Sequence, residues 1–191
     1  MTSATSRSLL EMIALADERG LAAAGLACLD RCLPLLDPDA ADVLRPAWAA
    51  VARGGGGAAW GEAVGKAGAE LDGAGGAAPH AGDVRAMLGA APADWAEEPL
   101  RAWADACSAA ALTLHARYDA GAESERAALV ERCRAGETEG AGPLLAGELR
   151  RQQAVLESAE HGPTGLRRAR DLSTEGRRVL KAVVSRRART A

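Results

Sequence analysis

Residues 97–118, EEPLRAWADACSAAALTLHARY, carry the clearest structural pattern in this chain of 191 residues. Apolar or large side chains recur there at steps of three and four residues: Leu100, Trp103, Cys107, Ala111, Leu114 and Tyr118. This spacing places them on one face of an α-helix of about five turns. A helix with such a wide apolar face needs neighbouring helices to cover it. We therefore predict a long central helix within an all-α bundle.

The rest of the chain repeats the helical pattern in shorter pieces and lacks the alternation typical of β-strands. Ser8 and Glu11 have the spacing of a capping box, and Gly142-Pro143 is a typical helix start. These patterns predict a bundle of roughly six to nine helices that forms one domain over residues 1–191. If the chain has two subdomains, the glycine- and alanine-rich segment 72–82 is the expected boundary.

Composition limits how this bundle is built. Hydrophobic residues make up 48% of the chain, but there is no Phe, one Tyr and only four Trp. Alanine favours helix yet buries little surface, so leucine must supply most of the hydrophobic free energy. We expect close helix contacts at Ala and Gly. We also expect Trp48 and Trp103 in the core, with Trp60 and Trp95 partly exposed.

Charge and hydropathy indicate where the protein acts. The formal net charge of −3 gives no overall reason to expect nucleic-acid binding. Arg7, Glu11, Asp17 and Glu18 interrupt any signal-peptide core near the N-terminus. The longest apolar run, 20–29, is about half as long as a membrane span. A cytoplasmic location, no transmembrane segment and reduced cysteines are therefore expected.

Cysteine spacing gives only weak support for a metal site. Cys28 and Cys32 lie four residues apart on one helical face, as half of a zinc site would. No second closely spaced pair completes the tetrahedron. Core packing is the favoured interpretation, and a metal or redox pair is the alternative.

Two histidine–acid pairs also have helical spacing. His115 with Asp119, and Glu157 with His161, would suit a base or ligand oriented by a carboxylate. Helical di-metal sites use Glu-x-x-His instead, so capping or surface roles are favoured. The glycine runs lack the Gly-Lys-Ser/Thr of a phosphate loop. We therefore predict no catalytic residue, metal or cofactor, and favour a non-catalytic protein over an enzyme.

The C-terminal segment 164–189 is the most distinctive functional feature. Nine basic and two acidic side chains between Leu166 and Ala191 give this region a net charge of +7. On a helix, its apolar residues form one stripe that includes Val179, Leu180 and Val183. The candidate anion- or partner-binding residues gather on the opposite side: Arg167, Arg170, Arg177, Arg178 and Lys181. This is the pattern of a basic amphipathic helix.

Two uses of this helix stay open. Either its apolar face closes the bundle while the arginines pair with the acidic body, or the basic face binds an external anionic partner. The first function hypothesis is a non-catalytic interaction or regulatory protein with an unknown protein partner. The second is binding of nucleic acid or an anionic surface through the basic helix. The third is a helical metal- or cofactor-dependent enzyme.

Overall fold

The computed structural model describes residues 7–37, 39–40, 42–54, 58–72 and 79–190. Within these ranges the chain forms nine α-helices and one short 3₁₀-helix, Leu33–Leu35, and no β-strand. The α-helices are α1 (Leu9–Leu15), α2 (Glu18–Cys32), α3 (Arg45–Ala52), α4 (Ala58–Asp72), α5 (Ala81–Gly89), α6 (Glu97–Ala116), α7 (Glu123–Arg134), α8 (Pro143–Ala159) and α9 (Gly162–Ala188). The predicted all-α bundle is confirmed. Most of segment 72–82, the predicted subdomain boundary, lies outside the described residues.

Helix α2 lies at the centre of the bundle. Every residue from Gly20 to Cys32 is buried, and α2 packs against α3, α5, α6, α8 and α9. The predicted central helix, α6, is instead the neighbour that shares the largest contact with α2. The sequence pattern did not indicate that α2 is central, because α2 is apolar on all sides over most of its length. Such a helix presents no single face for a periodicity argument to detect.

The α2–α6 contact depends on Gly25 and Trp103. A Cβ atom added at Gly25 would lie 2.5 Å from Cζ3 of Trp103, so a side chain there would displace the indole ring. Trp103 is 3% exposed, and its Nε1 donates a hydrogen bond to the Met87 carbonyl at 2.8 Å. The prediction that Trp103 belongs to the core is confirmed.

Trp60 differs from its prediction, because it is fully buried. Its ring makes edge contacts with Trp95 and Trp103, at centroid distances of 5.6 and 5.7 Å. Its Nε1 donates to the Pro92 carbonyl at 2.7 Å. Glu62, the acidic residue near Trp60 in the sequence, is exposed, while the Trp60 ring lies against Trp103 on α6. Trp48 is buried and Trp95 is half-buried, as predicted.

The N-terminal capping box is also confirmed. Ser8 Oγ accepts a hydrogen bond from the Glu11 backbone N–H at 3.2 Å, and Glu11 Oε2 accepts one from the Ser8 N–H at 2.7 Å. These two bonds satisfy donors that the first turn of α1 would otherwise leave unpaired.

Helix α9 is the longest helix of the described chain, with 27 residues. It lies on α2, α3 and α8 through a buried stripe. The stripe consists of Leu166, Ala169, Ser173, Gly176 and Leu180. Gly176 allows the close approach, because any side chain there would collide with Arg31. The prediction for Val179 is wrong, since this residue is 36% exposed and Leu180 occupies the buried position.

Among the described residues, no helix is both long and apolar enough to cross a membrane.

Candidate functional site

The arginines of α9 divide into an outward and an inward group. The outward residues are Arg167, Arg168, Arg170, Arg178, Arg186 and Arg189. None of these six forms an ion pair with a carboxylate in the part of the chain that the structure describes. We call these six residues the outward arginines. Three of them, Arg167, Arg170 and Arg178, are predicted binding residues.

Arg177 points inward and differs from its prediction. Its Nη1 lies 2.7 Å from Oδ1 of Asp30 on α2, and Asp30 also accepts a hydrogen bond from Trp48 Nε1 at 3.1 Å. Burial raises the pKa of Asp30, and the Arg177 charge opposes that rise. Arg177 adjoins the buried stripe on the helical wheel, so it can reach Asp30, whose pKa the charges of Arg31 and Arg170 also lower.

Lys181 and Arg187 also contact the body of the protein. Lys181 Nζ lies 3.5 Å from Asp39 Oδ1, in an exposed ion pair. Arg187 Nη2 donates to the Tyr118 carbonyl at 2.8 Å, and its guanidinium lies 4.9 Å from the centroid of the Tyr118 ring. The Arg187 contacts place the C-terminal end of α9 beside the end of α6, and the Lys181 ion pair joins α9 to the segment before α3.

The outward face of α9 alternates in charge. Exposed Asp171 and Glu175 separate the arginines near the start of the helix from those near its end. At a rise of about 1.5 Å per residue, the outward arginines extend over roughly 33 Å from Arg167 to Arg189. Val179 is the large apolar residue exposed on this helix. The face is therefore long, polar and positive at both ends.

A second polar assembly lies in the core, where α2, α6 and α8 meet. Arg31 Nε donates to Oε1 and Oε2 of Glu148 at 3.0 and 2.8 Å, and Arg31 Nη2 donates to Oε1 at 2.6 Å. Both side chains are completely buried. Burial alone would lower the pKa of Arg31 and raise that of Glu148. Their mutual attraction outweighs burial, so the pKa of Arg31 is raised and that of Glu148 is lowered.

Three further side chains complete this cluster. Gln152 Nε2 donates to Glu148 Oε1 at 2.9 Å, and Gln152 Oε1 accepts from Ser108 Oγ at 2.7 Å. His115 Nδ1 lies 2.8 Å from the Ala111 carbonyl, which can only accept, so Nδ1 carries the proton. His115 Nε2 lies 3.6 Å from Glu148 Oε2. Burial lowers the pKa of His115, and the charge of Glu148 opposes this effect.

The two histidine–acid spacings do not give side-chain pairs in the structure, and the capping or surface role favoured for His115 is wrong, because this residue is buried. Asp119 accepts hydrogen bonds from the backbone N–H groups of Leu144 and Leu145 at 3.0 and 2.8 Å, and so caps α8. His161 Nδ1 lies 2.9 Å from the backbone carbonyl of Glu157, not from its carboxylate. Folding supplies the carboxylate beside His115 from α8, so the sequence contains no local signal for it.

All four cysteines are free and buried. Cys28 Sγ accepts a hydrogen bond from Arg31 Nη2 at 3.5 Å, and burial raises the pKa of Cys28 to about 12. Burial also raises the pKa of Cys32 and Cys107. Across the described ranges, no group of three or more His, Cys, Asp or Glu side chains is arranged to hold a metal ion.

The core cluster joins three helices rather than opening to solvent. Its members are at most 3% exposed: Arg31, Ser108, His115, Glu148 and Gln152. In this conformation a substrate cannot reach His115 or Glu148, so the outward arginines are the candidate functional site. No protein-family model matches this chain, and no curated protein or solved structure matches it either.

Proposed function

We propose that the protein is a non-catalytic interaction protein that binds an acidic protein surface through the outward arginines of α9. The observation that supports this is that different side chains of α9 contact the body and face outward. Its apolar stripe, Arg177, Lys181 and Arg187 contact the body, and six further arginines face outward without a carboxylate partner among the described residues. Among these six charges, that of Arg170 also lowers the pKa of the buried Asp30 on α2. Within the described residues, the other five form no ion pair with the body of the protein.

The buried stripe argues against a membrane surface as the partner. An amphipathic helix binds a bilayer by inserting its apolar face below the headgroups. In α9 that face already packs on α2, α3 and α8. The outward face also lacks aromatic side chains, on which the bases of a single-stranded nucleic acid would stack.

The alternating charge favours a protein over a uniform polyanion. Asp171 and Glu175 lie in the middle of the outward face, where they would repel a phosphate backbone. A folded partner can place acidic groups opposite the arginines and a basic group opposite these two acids. Charge complementarity of this kind determines the register and specificity of protein interfaces.

Double-stranded nucleic acid is the second candidate. Beyond Glu175 the outward face contains Arg178, Arg186 and Arg189 and no acidic residue. Such a cluster can neutralise phosphates and release counterions. The enzyme hypothesis gains no support from the core cluster, because that cluster is enclosed.

A matched pair of variants tests the proposal. One variant changes Arg167, Arg168, Arg178 and Arg186 to Gln. The control changes four exposed arginines outside α9 to Gln: Arg45, Arg53, Arg132 and Arg150. Both variants lose four positive charges, so a difference between their affinities shows that the position of the charges matters. Fluorescence anisotropy measures binding to a labelled glutamate-rich peptide and to a labelled DNA duplex of equal formal charge.

We expect the peptide to bind the native protein with an affinity that falls as salt rises. The α9 variant should bind it about tenfold or more weakly, while the control variant should lose much less. Tighter binding of the duplex than of the peptide would favour the nucleic-acid candidate. Equal losses in the two variants would show that only net charge matters and would contradict a site on α9.

A further inference from the structure

A groove between α5 and α6 forms a cavity of about 350 Å³ on the surface of the protein. Alanine is the commonest residue in its walls: Ala86 on α5, Ala90 directly after α5, and Ala106, Ala109 and Ala110 on α6. These side chains are too short to fill the space between the two helices. The volume lies near the lower end of the range of small-molecule cavities, about 300–1,000 Å³.

The floor of this groove is rigid. It includes Trp103 and Met87. The Trp103 ring packs on Gly25, and the hydrogen bond from its Nε1 to the Met87 carbonyl joins α6 to α5 directly beneath the groove. A ligand would therefore meet a surface that is already formed, which lowers the entropic cost of binding.

One end of the groove is polar. Arg117 Nη1 lies 2.9 Å from Asp83 Oδ2, and both residues line the groove. Arg117 Nη1 also lies 2.5 Å from Nδ1 of His80. Among the described residues other than glycine, His80 has a positive φ, 73°. Because the guanidinium and the carboxylate offset each other, this end presents hydrogen-bonding groups but little net charge.

Thr113 adds one hydrogen-bonding group to the wall of this groove. Ser173 and Thr174 on α9 donate their hydroxyl protons to the carbonyls four residues earlier, at 2.9 and 3.1 Å. The half-buried Thr113 hydroxyl makes no such bond, nor any other within the described residues, and it lines the groove. A hydroxyl donor that has no protein partner among the described residues thus lies between the apolar walls and the Arg117 end.

We infer that this groove binds a small, neutral, mostly apolar molecule that carries one hydrogen-bond acceptor. The apolar body lies against the alanines and the Trp103 ring, and the acceptor receives the Thr113 hydroxyl proton. A charged ligand fits less well, because it would compete with the Arg117–Asp83 ion pair. This site is separate from α9 and does not depend on the function proposed for that helix.

The neutral naphthalene ketone dye Prodan is a suitable probe. It has a flat apolar body and a single carbonyl acceptor, and its emission shifts to the blue in apolar surroundings. We expect saturable binding to the native protein with a blue shift. Ala106→Phe should abolish it by filling the groove from an exposed position. Ala128→Phe, an equal change at an exposed position on α7, should leave it unchanged.

The acceptor is tested by Thr113→Val, which keeps the shape of the side chain and removes its hydroxyl. This change should weaken Prodan binding about fivefold to tenfold, the typical effect of one lost hydrogen bond. Binding of 2-dimethylaminonaphthalene, which lacks the carbonyl, should not change. Circular dichroism melts establish that each variant is folded. Absence of saturable binding, or equal binding by the two Phe variants, overturns the site, and an unchanged Prodan affinity in Thr113→Val overturns the assigned acceptor contact.

Discussion

Arg31 of α2 and Glu148 of α8, 117 residues apart in the chain, form a hydrogen-bonded ion pair from which solvent is excluded completely. Desolvating two charges costs several kcal/mol per ion, and the three hydrogen bonds between them offset part of that cost. Arg31 Nη1 is buried without a hydrogen-bond partner among the described residues. The pair therefore makes the packing of α2 on α8 specific. It is not a reliable source of stability by itself.

Removing one partner should be far more costly than removing both. Glu148→Gln leaves the Arg31 charge buried without a counter-charge and should lower the free energy of unfolding by about 3–5 kcal/mol. The double change Arg31→Met with Glu148→Leu should cost much less, within about 1–2 kcal/mol of the native protein. Urea denaturation measures both values. In the exposed Lys66–Glu70 pair, Glu70→Gln should change stability by under about 1 kcal/mol. A small loss in Glu148→Gln would mean that the pair is not enclosed.

His115 should make the protein less stable in acid. Burial lowers its pKa below the ordinary 6.5, so the unfolded chain binds this proton more readily than the folded protein does. Stability is therefore fully present above 6.5 and falls as the pH decreases below that value. His115→Gln should flatten the dependence below pH 6.5, whereas the control His161→Gln, at an exposed position, should leave it as it is in the native protein. Urea midpoints at several pH values measure the slopes, and equal slopes in the two variants would contradict the assignment.

Trp103 and Gly25 should be energetically coupled. Trp103→Ala should lower the free energy of unfolding by about 3–5 kcal/mol, the range for truncating a buried large aromatic side chain. Gly25→Ala should also destabilise the protein, because the new methyl group overlaps the indole ring. The cost of Gly25→Ala should be smaller once the ring is absent. A double-mutant cycle measures this coupling, and strictly additive costs would show that the two residues do not touch.

Arg177 and Arg178, adjacent in sequence, should respond differently to the same change. Arg177→Gln removes the cation beside the buried Asp30 carboxylate and should cost about 1–3 kcal/mol. Arg178→Gln, at an exposed position, should change stability by under about 0.5 kcal/mol. Chemical denaturation of the two variants compares these values. A larger loss at Arg178 than at Arg177 would mean that the rotation of α9 about its axis is wrong.

The sequence predicted those features that depend on neighbours along one helix. The apolar face of α6, the capping box of Ser8 and Glu11 and the amphipathic character of α9 follow from local periodicity and hydrogen bonding. All three are present in the structure. Helical periodicity did not identify α2 as the central helix, because α2 is apolar on nearly all sides. Its central position follows only from its packing against the other helices.

The tertiary structure decided which polar groups meet. His115 faces Glu148 rather than Asp119, and Arg177 reaches Asp30 while Arg178 faces outward. Partners of this kind come from helices distant in sequence, and their distances depend on how those helices cross. Helical periodicity determines the side of a helix on which a residue lies. The interhelical packing determines whether a carboxylate, a carbonyl or solvent lies opposite, because side-chain interactions act over only a few ångströms.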